Sequence, residues 1–223
     1  MFVTEIARFV PNLPSTLDSS IWQKAAVALQ NDKTPRYYVL GTEVQNKSTV
    51  QITSELDAYR EYTKFASTDH CTSFAGSVSE LFGAPTDCFH VHFNQLAVGP
   101  NGPATANVVE FVRNFFAISR LTPEFKQQIE TDFLKFDEIY QMGKPEGQRG
   151  FTMGWTLEEV EHPDIEGEST MSFVIVRGWD RFEYFEQSLQ NEYYKEAIRI
   201  LLAWNAPFQM WHVERKIEDG IVG

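Results

Sequence analysis

The same series of short sequence patterns occurs twice in this chain, and this internal repeat restricts its fold more than any other feature. VTEIARF at Val3 returns as VVEFVRN at Val108, and STVQITSEL at Ser48 returns as STMSFVIVR at Ser169. Three further pairs keep the same order: YYVLGT with GFTMGW, DAYREY with DRFEYF, and HV with HV. Five matches in one order predict two copies of one structural unit, at residues 1–95 and 107–223. The intervening segment, residues 96–106, is rich in Gly, Pro and small residues, as is typical of a linker.

Each copy is predicted to run strand, helix, strand, strand, helix, strand. In the first copy, β-branched and aromatic runs indicate strands at Val3–Val10, Tyr37–Val44, Thr49–Leu56 and Phe89–Phe93, and helices are expected at Ser19–Gln30 and from Asp57 through Phe65. In the second copy, Thr122 and Pro123 are typical of a helix start. Asp180 is expected to open the last helix. The helical stripes are Phe125, Ile129, Phe133, Phe136 and Tyr140 in the first of these helices and Tyr194, Ala197, Ile198 and Leu201 in the second.

A β-α-β-β-α-β unit is the ferredoxin-like fold, with two helices on one face of a four-stranded antiparallel sheet. Its other face must be covered. We therefore expect an α+β protein of two tandem ferredoxin-like units whose antiparallel sheets face each other as an intramolecular α/β barrel. The chain would then be a fused pseudo-dimer, and a further homodimer is left open.

The composition argues against nucleic-acid and membrane partners. The net charge is −12, with 19 Lys and Arg against 31 Asp and Glu, and no basic cluster stands out. No apolar run is long enough to span a bilayer, and the first residues show no signal peptide. Cys71 and Cys88 are too few for a disulfide framework and fit a reducing compartment. These observations predict a cytoplasmic protein.

The segment TDCFHVHFNQ places His90 and His92 on one face of a strand and the three apolar residues of FHVHF on the other. Because helices need an apolar face, we expect the apolar residues to lie beneath the helices and both histidines to face the interior between the sheets. The repeat then places His212 where His90 lies in the first copy. The alternative is that these side chains lie at an open rim, solvated or bonded to backbone.

Glu5 and Glu110 occupy matched positions in the first strand of each copy. An acid within a buried strand is unusual, and it indicates either a general base with a raised pKa or a structural partner for another polar group. Trp155, Tyr38 and Trp211 are expected either to pack in the core or to stack on a flat ligand. The acidic segment at residues 158–168 is predicted to be a solvent-exposed loop. The alternative is a loop that gates the cavity.

The sequence predicts no metal and no cofactor. His90 and His92 could supply two metal ligands, but no spacing provides a third. No nucleophile elbow, phosphate-binding loop or dinucleotide-binding glycine pattern occurs.

The chain resembles the dimeric α/β-barrel superfamily, in particular fungal proteins with two fused domains like those of antibiotic-biosynthesis monooxygenases. The resemblance rests on VTEIARF and on the helical text YREYTKFASTDHCTSFAGSVSELFGAP leading into FHVHF, and it extends over essentially the whole chain. Relatives of this kind include cofactor-free oxygenases, polyketide cyclases, lactone isomerases and haem-degrading enzymes, so the fold leaves the chemistry open.

The resemblance implies an enzyme of secondary metabolism that oxygenates a phenolic or enolisable, aromatic or polyketide-like molecule with the help of a base and without a cofactor. Alternatives are a polyketide cyclase or isomerase that uses the same pocket without oxygen, and a non-catalytic, stress-responsive ligand-binding barrel. A cavity of several hundred Å³ that touches His90 would favour the enzyme, and a sealed interior would favour the binding protein. One of the two units is expected to hold the working pocket. The candidate catalytic residues are His90, His92, His212 and Glu110, and the candidate substrate-binding residues are Arg113, Trp155, Tyr38 and Trp211.

Overall fold

The structure is a computed structural model, and it describes residues 3–11, 19–31, 35–56 and 75–219. Within these ranges the strands are β1 (Val3–Phe9), β2 (Pro35–Glu43), β3 (Val50–Leu56), β4 (Asp87–Phe93), β5 (Val108–Ala117), β6 (Gln148–Thr156), β7 (Val160–His162), β8 (Ile165–Trp179) and β9 (Phe208–Asp219). The α-helices are α1 (Ser19–Asn31), α2 (Ala75–Phe82), α3 (Pro123–Met142), α4 (Phe182–Ser188) and α5 (Glu192–Leu202).

Eight of these strands close into one antiparallel barrel. The hydrogen-bonded order is β5-β9-β2-β3-β1-β4-β6-β8, and pairing of β5 with β8 closes the ring. Strand β7 adds to β8 as a short hairpin beyond the ring. Closure satisfies the backbone groups that an open sheet would leave unpaired along its edges.

The prediction of two tandem ferredoxin-like units with facing sheets is wrong. The strands from the two parts of the chain do not form two separate sheets, because β2 pairs with β9 and β4 pairs with β6. These two pairings, called the seams below, make a single continuous sheet. Backbone hydrogen bonds therefore join the two parts of the chain. The prediction instead had the two parts joined by side-chain packing between separate sheets.

A glycine lies at each seam where the two backbones approach closely. A Cβ atom on Gly41 of β2 would lie 2.5 Å from the carbonyl oxygen of Glu214 in β9. A Cβ atom on Gly154 of β6 would overlap the carbonyl group of His92 in β4. Both seams therefore require a residue without a side chain.

Strands β1, β3, β4 and β5 are mostly buried on both faces. Interior apolar side chains come from strands around the ring and include Ile6, Val39, Phe89, Val91, Phe111, Val174 and Trp211. On the outer face, α3, α4 and α5 cover one part of the barrel and α1 and α2 cover another. None of the helices in the described ranges is long and apolar enough to cross a membrane.

Glu55 attaches the predicted linker to one end of the barrel. Its carboxylate accepts hydrogen bonds from the Thr4 hydroxyl at 2.9 Å and from the backbone N–H groups of Ala97 and Val98 at 2.8 and 3.0 Å. Burial raises the pKa of Glu55, and these three hydrogen bonds oppose that rise. The chain between β4 and β5 is thereby held against the barrel end.

Of the two predicted helix starts in the second copy, the one at Thr122 is confirmed and the one at Asp180 is wrong. The Thr122 side chain accepts from Phe125 N–H at 3.2 Å, and Pro123 is the first residue of α3, as predicted. Asp180 does not open the last helix, because its carboxylate binds Arg149 at 2.5 and 2.9 Å. The chain instead forms two helices, α4 and α5, the second capped by Asn191. The helix predicted after Asp57 lies outside the described residues.

Cys88, near the start of β4, is disulfide-bonded. This finding removes the support that the two cysteines lent to a reducing compartment.

Candidate active site

The orientation of β4 is opposite to the prediction. Phe89, Val91 and Phe93 point into the barrel and pack with the interior cluster. His90 and His92 therefore lie on the outer face of the barrel, because side chains alternate along a strand. His212 also lies on this face, between the interior residues Trp211 and Val213.

His90 is held between two carboxylates. Its Nδ1 lies 2.5 Å from Glu158 and its Nε2 lies 3.1 Å from Glu5, its neighbour across strands β4 and β1. Burial alone would lower the pKa of His90, but the hydrogen bonds and charges of Glu158 and Glu5 outweigh it and raise the pKa to about 9. The buried side chain is therefore an imidazolium in an ion-pair network.

His92 and Trp155 face each other across the seam between β4 and β6. The Trp155 indole N–H donates to Glu130 of α3 at 2.9 Å, and the Lys126 ammonium lies 5.0 Å from the centre of its ring. Tyr38 is buried among the residues that pack against α1 and α2. Tyr38 therefore lies in a different region of the outer face from His92 and Trp155, and none of the three lines the apolar cavity described below.

Arg113 and Trp211 lie inside the barrel. The Arg113 guanidinium lies 4.1 Å from the ring centre of Phe89 and donates to Ser172 at 3.0 Å. It also lines an open cleft of about 600 Å³ at one end of the barrel. The Trp211 indole N–H donates to Gln51 at 2.7 Å. The interior therefore holds arginine and tryptophan side chains but not the predicted imidazoles.

A large apolar cavity lies on the outer face, between the barrel and helices α3, α4 and α5. Its volume is about 770 Å³, within the usual range of roughly 300–1,000 Å³ for small-molecule sites. It does not touch His90. Its walls are mostly apolar and include Val112, Phe133, Phe136, Ile175, Phe185, Ile198 and Leu201.

Polar side chains gather at one part of this cavity. Glu110 of β5 and Arg177 of β8 are direct cross-strand partners, and both line the cavity together with Tyr140 of α3. The Trp179 indole N–H donates to one Glu110 oxygen at 3.0 Å. The other oxygen has no hydrogen-bond partner within the described part of the chain. A carboxylate with one free oxygen thus faces an apolar space.

Arg177 is oriented by α3. Its Nη2 donates to Asp137 at 2.7 Å, and the guanidinium lies 5.0 Å from the ring centre of Tyr140. Its Nη1 is buried and has no hydrogen-bond partner among the residues that the structure describes. An unpaired buried donor is unfavourable, so this arrangement of Arg177 costs folding free energy.

Burial dominates the electrostatics of this cluster. It raises the pKa of Glu110, while the Arg177 charge and the hydrogen bond from Trp179 oppose the rise. Burial also raises the pKa of Tyr140 to about 12, so its hydroxyl remains a hydrogen-bond donor at neutral pH. The cluster therefore offers one acid–base group, one cation and one neutral hydroxyl.

His212 lies beside Glu110 on the opposite side from Arg177. It is the cross-strand partner of Glu110 on β9. Its Nδ1 lies 2.8 Å from the Gln45 amide, and its ring packs against Phe182 and Phe185. Burial lowers the pKa of His212 to about 4, so the ring is neutral at pH 7.

The loop predicted at residues 158–168 forms the β7–β8 hairpin. It supplies Glu158 to His90, and Asp164 and Ile165 reach the lining of the cavity. Exposed apolar side chains also belong to the lining: Leu202, Phe208 and Met210 are 64%, 55% and 41% exposed. These residues form an apolar entrance toward solvent.

The sequence pointed to only part of this cluster. Of the eight proposed site residues, Glu110 is the one that lines the cavity, and His212 lies next to it in the sheet. Arg177 was missed, although a single charge within the apolar run SFVIVRGW was a usable signal. Tyr140 was recognised as a helix-face residue, but spacing alone could not show that it faces a cavity.

Comparison with known proteins shows which solved structures share this fold. No protein-family model and no curated protein matches the chain. Among solved structures, the chain is similar to an anthrone oxidase-like protein (14% identity, TM-score 0.56) over 100% of this chain and 94% of the other. It is also similar to candidate monooxygenases from Fusobacterium nucleatum (9%, TM-score 0.56; 98% and 94% covered) and Lactobacillus acidophilus (10%, TM-score 0.54; 97% and 95% covered).

These likenesses extend over nearly the full length of each partner. At such low identity they establish shared architecture and leave the chemistry to the side chains. The chain shares its barrel fold with these solved structures.

Proposed function

We propose that this protein is a monooxygenase that needs no bound cofactor and acts on a hydrophobic phenol or an enolisable ketone held in the cavity beside Glu110. The observation that carries the proposal is the pairing of Glu110 with Arg177 in an apolar cavity of about 770 Å³. A role in fungal secondary metabolism, which the sequence resemblance implies, is part of this proposal.

In the first step Glu110 acts as the general base. Its raised pKa brings its basicity closer to that of an acidic phenol or enol than an exposed carboxylate would be. The proton moves from the substrate to Glu110, and the Arg177 guanidinium stabilises the negative charge that remains on the substrate oxygen. Arg177 lines the same cavity as Glu110, which supports this role.

The substrate anion then reacts with molecular oxygen. It transfers one electron to O₂, and the resulting radical pair combines to form a carbon–oxygen bond. Glu110 returns its proton to the terminal oxygen of the peroxide. The O–O bond breaks as the carbon loses its remaining hydrogen, giving a carbonyl group and water. One oxygen atom enters the substrate, the other becomes water, and the four electrons that the substrate loses reduce O₂.

The architecture supports this choice of chemistry. Similar folds include candidate monooxygenases and an anthrone oxidase-like protein. The apolar walls contributed by α3 and α5 suit a flat polycyclic substrate, and the polar groups lie together where one oxygenated edge would be placed. Anthrone, an enolisable three-ring ketone, is therefore the first probe.

The test is oxygen uptake with anthrone, together with product analysis. We expect one O₂ consumed per anthraquinone formed. Glu110→Gln should lower kcat/KM by about 100-fold or more. Glu130→Gln is the matched control, because Glu130 also accepts a hydrogen bond from an indole N–H but does not line the cavity. If Glu110→Gln keeps the wild-type rate, Glu110 is not the general base. Stable binding of anthrone without turnover would indicate a ligand-binding protein.

A further inference from the structure

The outer face of the barrel carries the same three-residue arrangement twice. At the first position, His90 lies opposite Glu5, and Glu158 binds both the backbone N–H of His90, at 3.0 Å, and its Nδ1, at 2.5 Å. At the second position His212 lies opposite Glu110.

Gln45 makes the matching two contacts with His212. Its Oε1 accepts from the His212 backbone N–H at 3.0 Å, and its Nε2 lies 2.8 Å from Nδ1. The two arrangements differ in one functional group, a carboxylate in Glu158 and an amide in Gln45.

This difference determines what the imidazole can do. Glu158 can only accept, so Nδ1 of His90 must donate to it, and Nε2 donates to Glu5 as well. An imidazole that donates at both nitrogens carries a positive charge. The Gln45 amide is oriented by its bond to the backbone, so its N–H donates to Nδ1 of His212. The hydrogen of this neutral ring is then on Nε2.

The two acids differ accordingly. Glu5 is bonded to the charged ring of His90 at 3.1 Å. Glu110 has the same cross-strand relation to His212, but its hydrogen bond goes to Trp179, and Nε2 of His212 is buried without a partner in the described ranges. The first acid is fixed in an ion pair, and the second remains exposed to the cavity.

We propose that Gln45 is a positioning residue that keeps His212 neutral and thereby leaves Glu110 free to act as the base. Nε2 of His212 makes no hydrogen bond with Glu110 in the structure, although the two residues are cross-strand partners. The charged or titratable groups around this pair are Arg177 of β8, Tyr140 of α3 and Tyr194 of α5. Only the last step, the action of Glu110 as a base, rests on the proposed function.

The decisive variant is Gln45→Glu, which should convert the second arrangement into the first. Histidine nitrogen NMR would be recorded on the full chain without substrate from pH 5 to pH 10. In the wild type we expect a neutral His212 with hydrogen on Nε2 throughout. In Gln45→Glu we expect hydrogen on both nitrogens at pH 7, which requires a His212 pKa at least about three units higher. Asn46→Asp, which adds the same charge at the next residue, is the control and should leave His212 neutral.

Activity provides the second measurement. Ion pairing of Glu110 should lower kcat of Gln45→Glu at least about 10-fold with KM little changed, and should move the acidic limb of the pH profile to lower pH. Unchanged His212 signals in Gln45→Glu, or a charged His212 in the wild type at pH 7, would refute the inference.

Glu158→Gln provides the converse test if Gln45→Glu does not fold. It should remove the charge from His90 at pH 7, and a His90 that stays charged would contradict the inference. Because these spectra need no substrate, they stand even if anthrone oxidation is never observed.

Discussion

Glu110 and Arg177 are direct cross-strand partners on β5 and β8, and both line the apolar cavity beneath α3, α4 and α5. The same Glu110 has His212 as its partner on the other side, on β9. A carboxylate, a guanidinium and an imidazole thus form one row across three adjacent strands. This row lies beneath helices rather than inside the barrel, and the predictions below test what it does.

Removing the Arg177 charge should impair catalysis. Arg177→Met removes the cation that would stabilise the substrate anion, and we expect kcat/KM for anthrone to fall about 100- to 1,000-fold. Arg149→Met is the control, since Arg149 also pairs with an aspartate but is exposed and lies outside the cavity. Equal losses in the two variants, measured by oxygen uptake, would argue against a role for Arg177 in the reaction.

The pH profile should report the ionisation of Glu110. Because burial raises the pKa of this carboxyl above its usual 4.5, activity should rise with pH through a value above 4.5. Arg177 and Trp179 both oppose the rise, so Trp179→Phe, which removes the hydrogen bond, should move the acidic limb to still higher pH. If the midpoint of the acidic limb in the wild type lies at or below pH 4.5, that limb reports the ionisation of a group other than Glu110.

His90 should contribute to stability rather than to catalysis. Its pKa is raised from 6.5 to about 9, so its contribution to the free energy of unfolding should be complete below pH 6.5 and lost as pH rises through 9. Burial by itself would lower the pKa, and the two carboxylates reverse that effect. The shift corresponds to roughly 3 kcal/mol, and urea unfolding at pH 6 and pH 10 would measure it.

Replacing His90 provides a sharper form of the same prediction. His90→Asn leaves two buried carboxylates without their cation and should destabilise the protein by about 3–5 kcal/mol at pH 6. The loss should shrink toward pH 10. A pH-independent loss would mean that packing, and not the ion pairs, accounts for the contribution of His90.

The seam between β4 and β6 should tolerate no side chain at Gly154. A methyl group there overlaps the His92 carbonyl, so Gly154→Ala should lower the free energy of unfolding by more than about 2 kcal/mol. Gly150→Ala is the comparison, because Gly150 has a positive φ of 85° but open space around it. Its loss should be about 1 kcal/mol, from backbone strain alone. Similar losses would show that the seam backbones can move apart.

The local order of elements was accessible from the sequence. The strands at Val3–Phe9, Val50–Leu56 and Asp87–Phe93 lie where β-branched and aromatic runs predicted them, and Thr122 caps its helix as expected. Glu110 was identified because an acid in a strand of this kind is unusual. The boundaries of the two units, 1–95 and 107–223, stay a prediction.

The alternation of side chains along β4 determined that His90 and His92 share one face and that Phe89 and Phe93 share the other. Only the tertiary structure decided which face points inward, because a strand covered by helices on one side and closed into a barrel on the other buries both faces. The apolar test for the core then cannot distinguish them. The polar cluster at the cavity was likewise decided by the tertiary structure. Arg177 and Glu110 lie 67 residues apart in the chain, and they become neighbours only when β5 and β8 pair and close the ring.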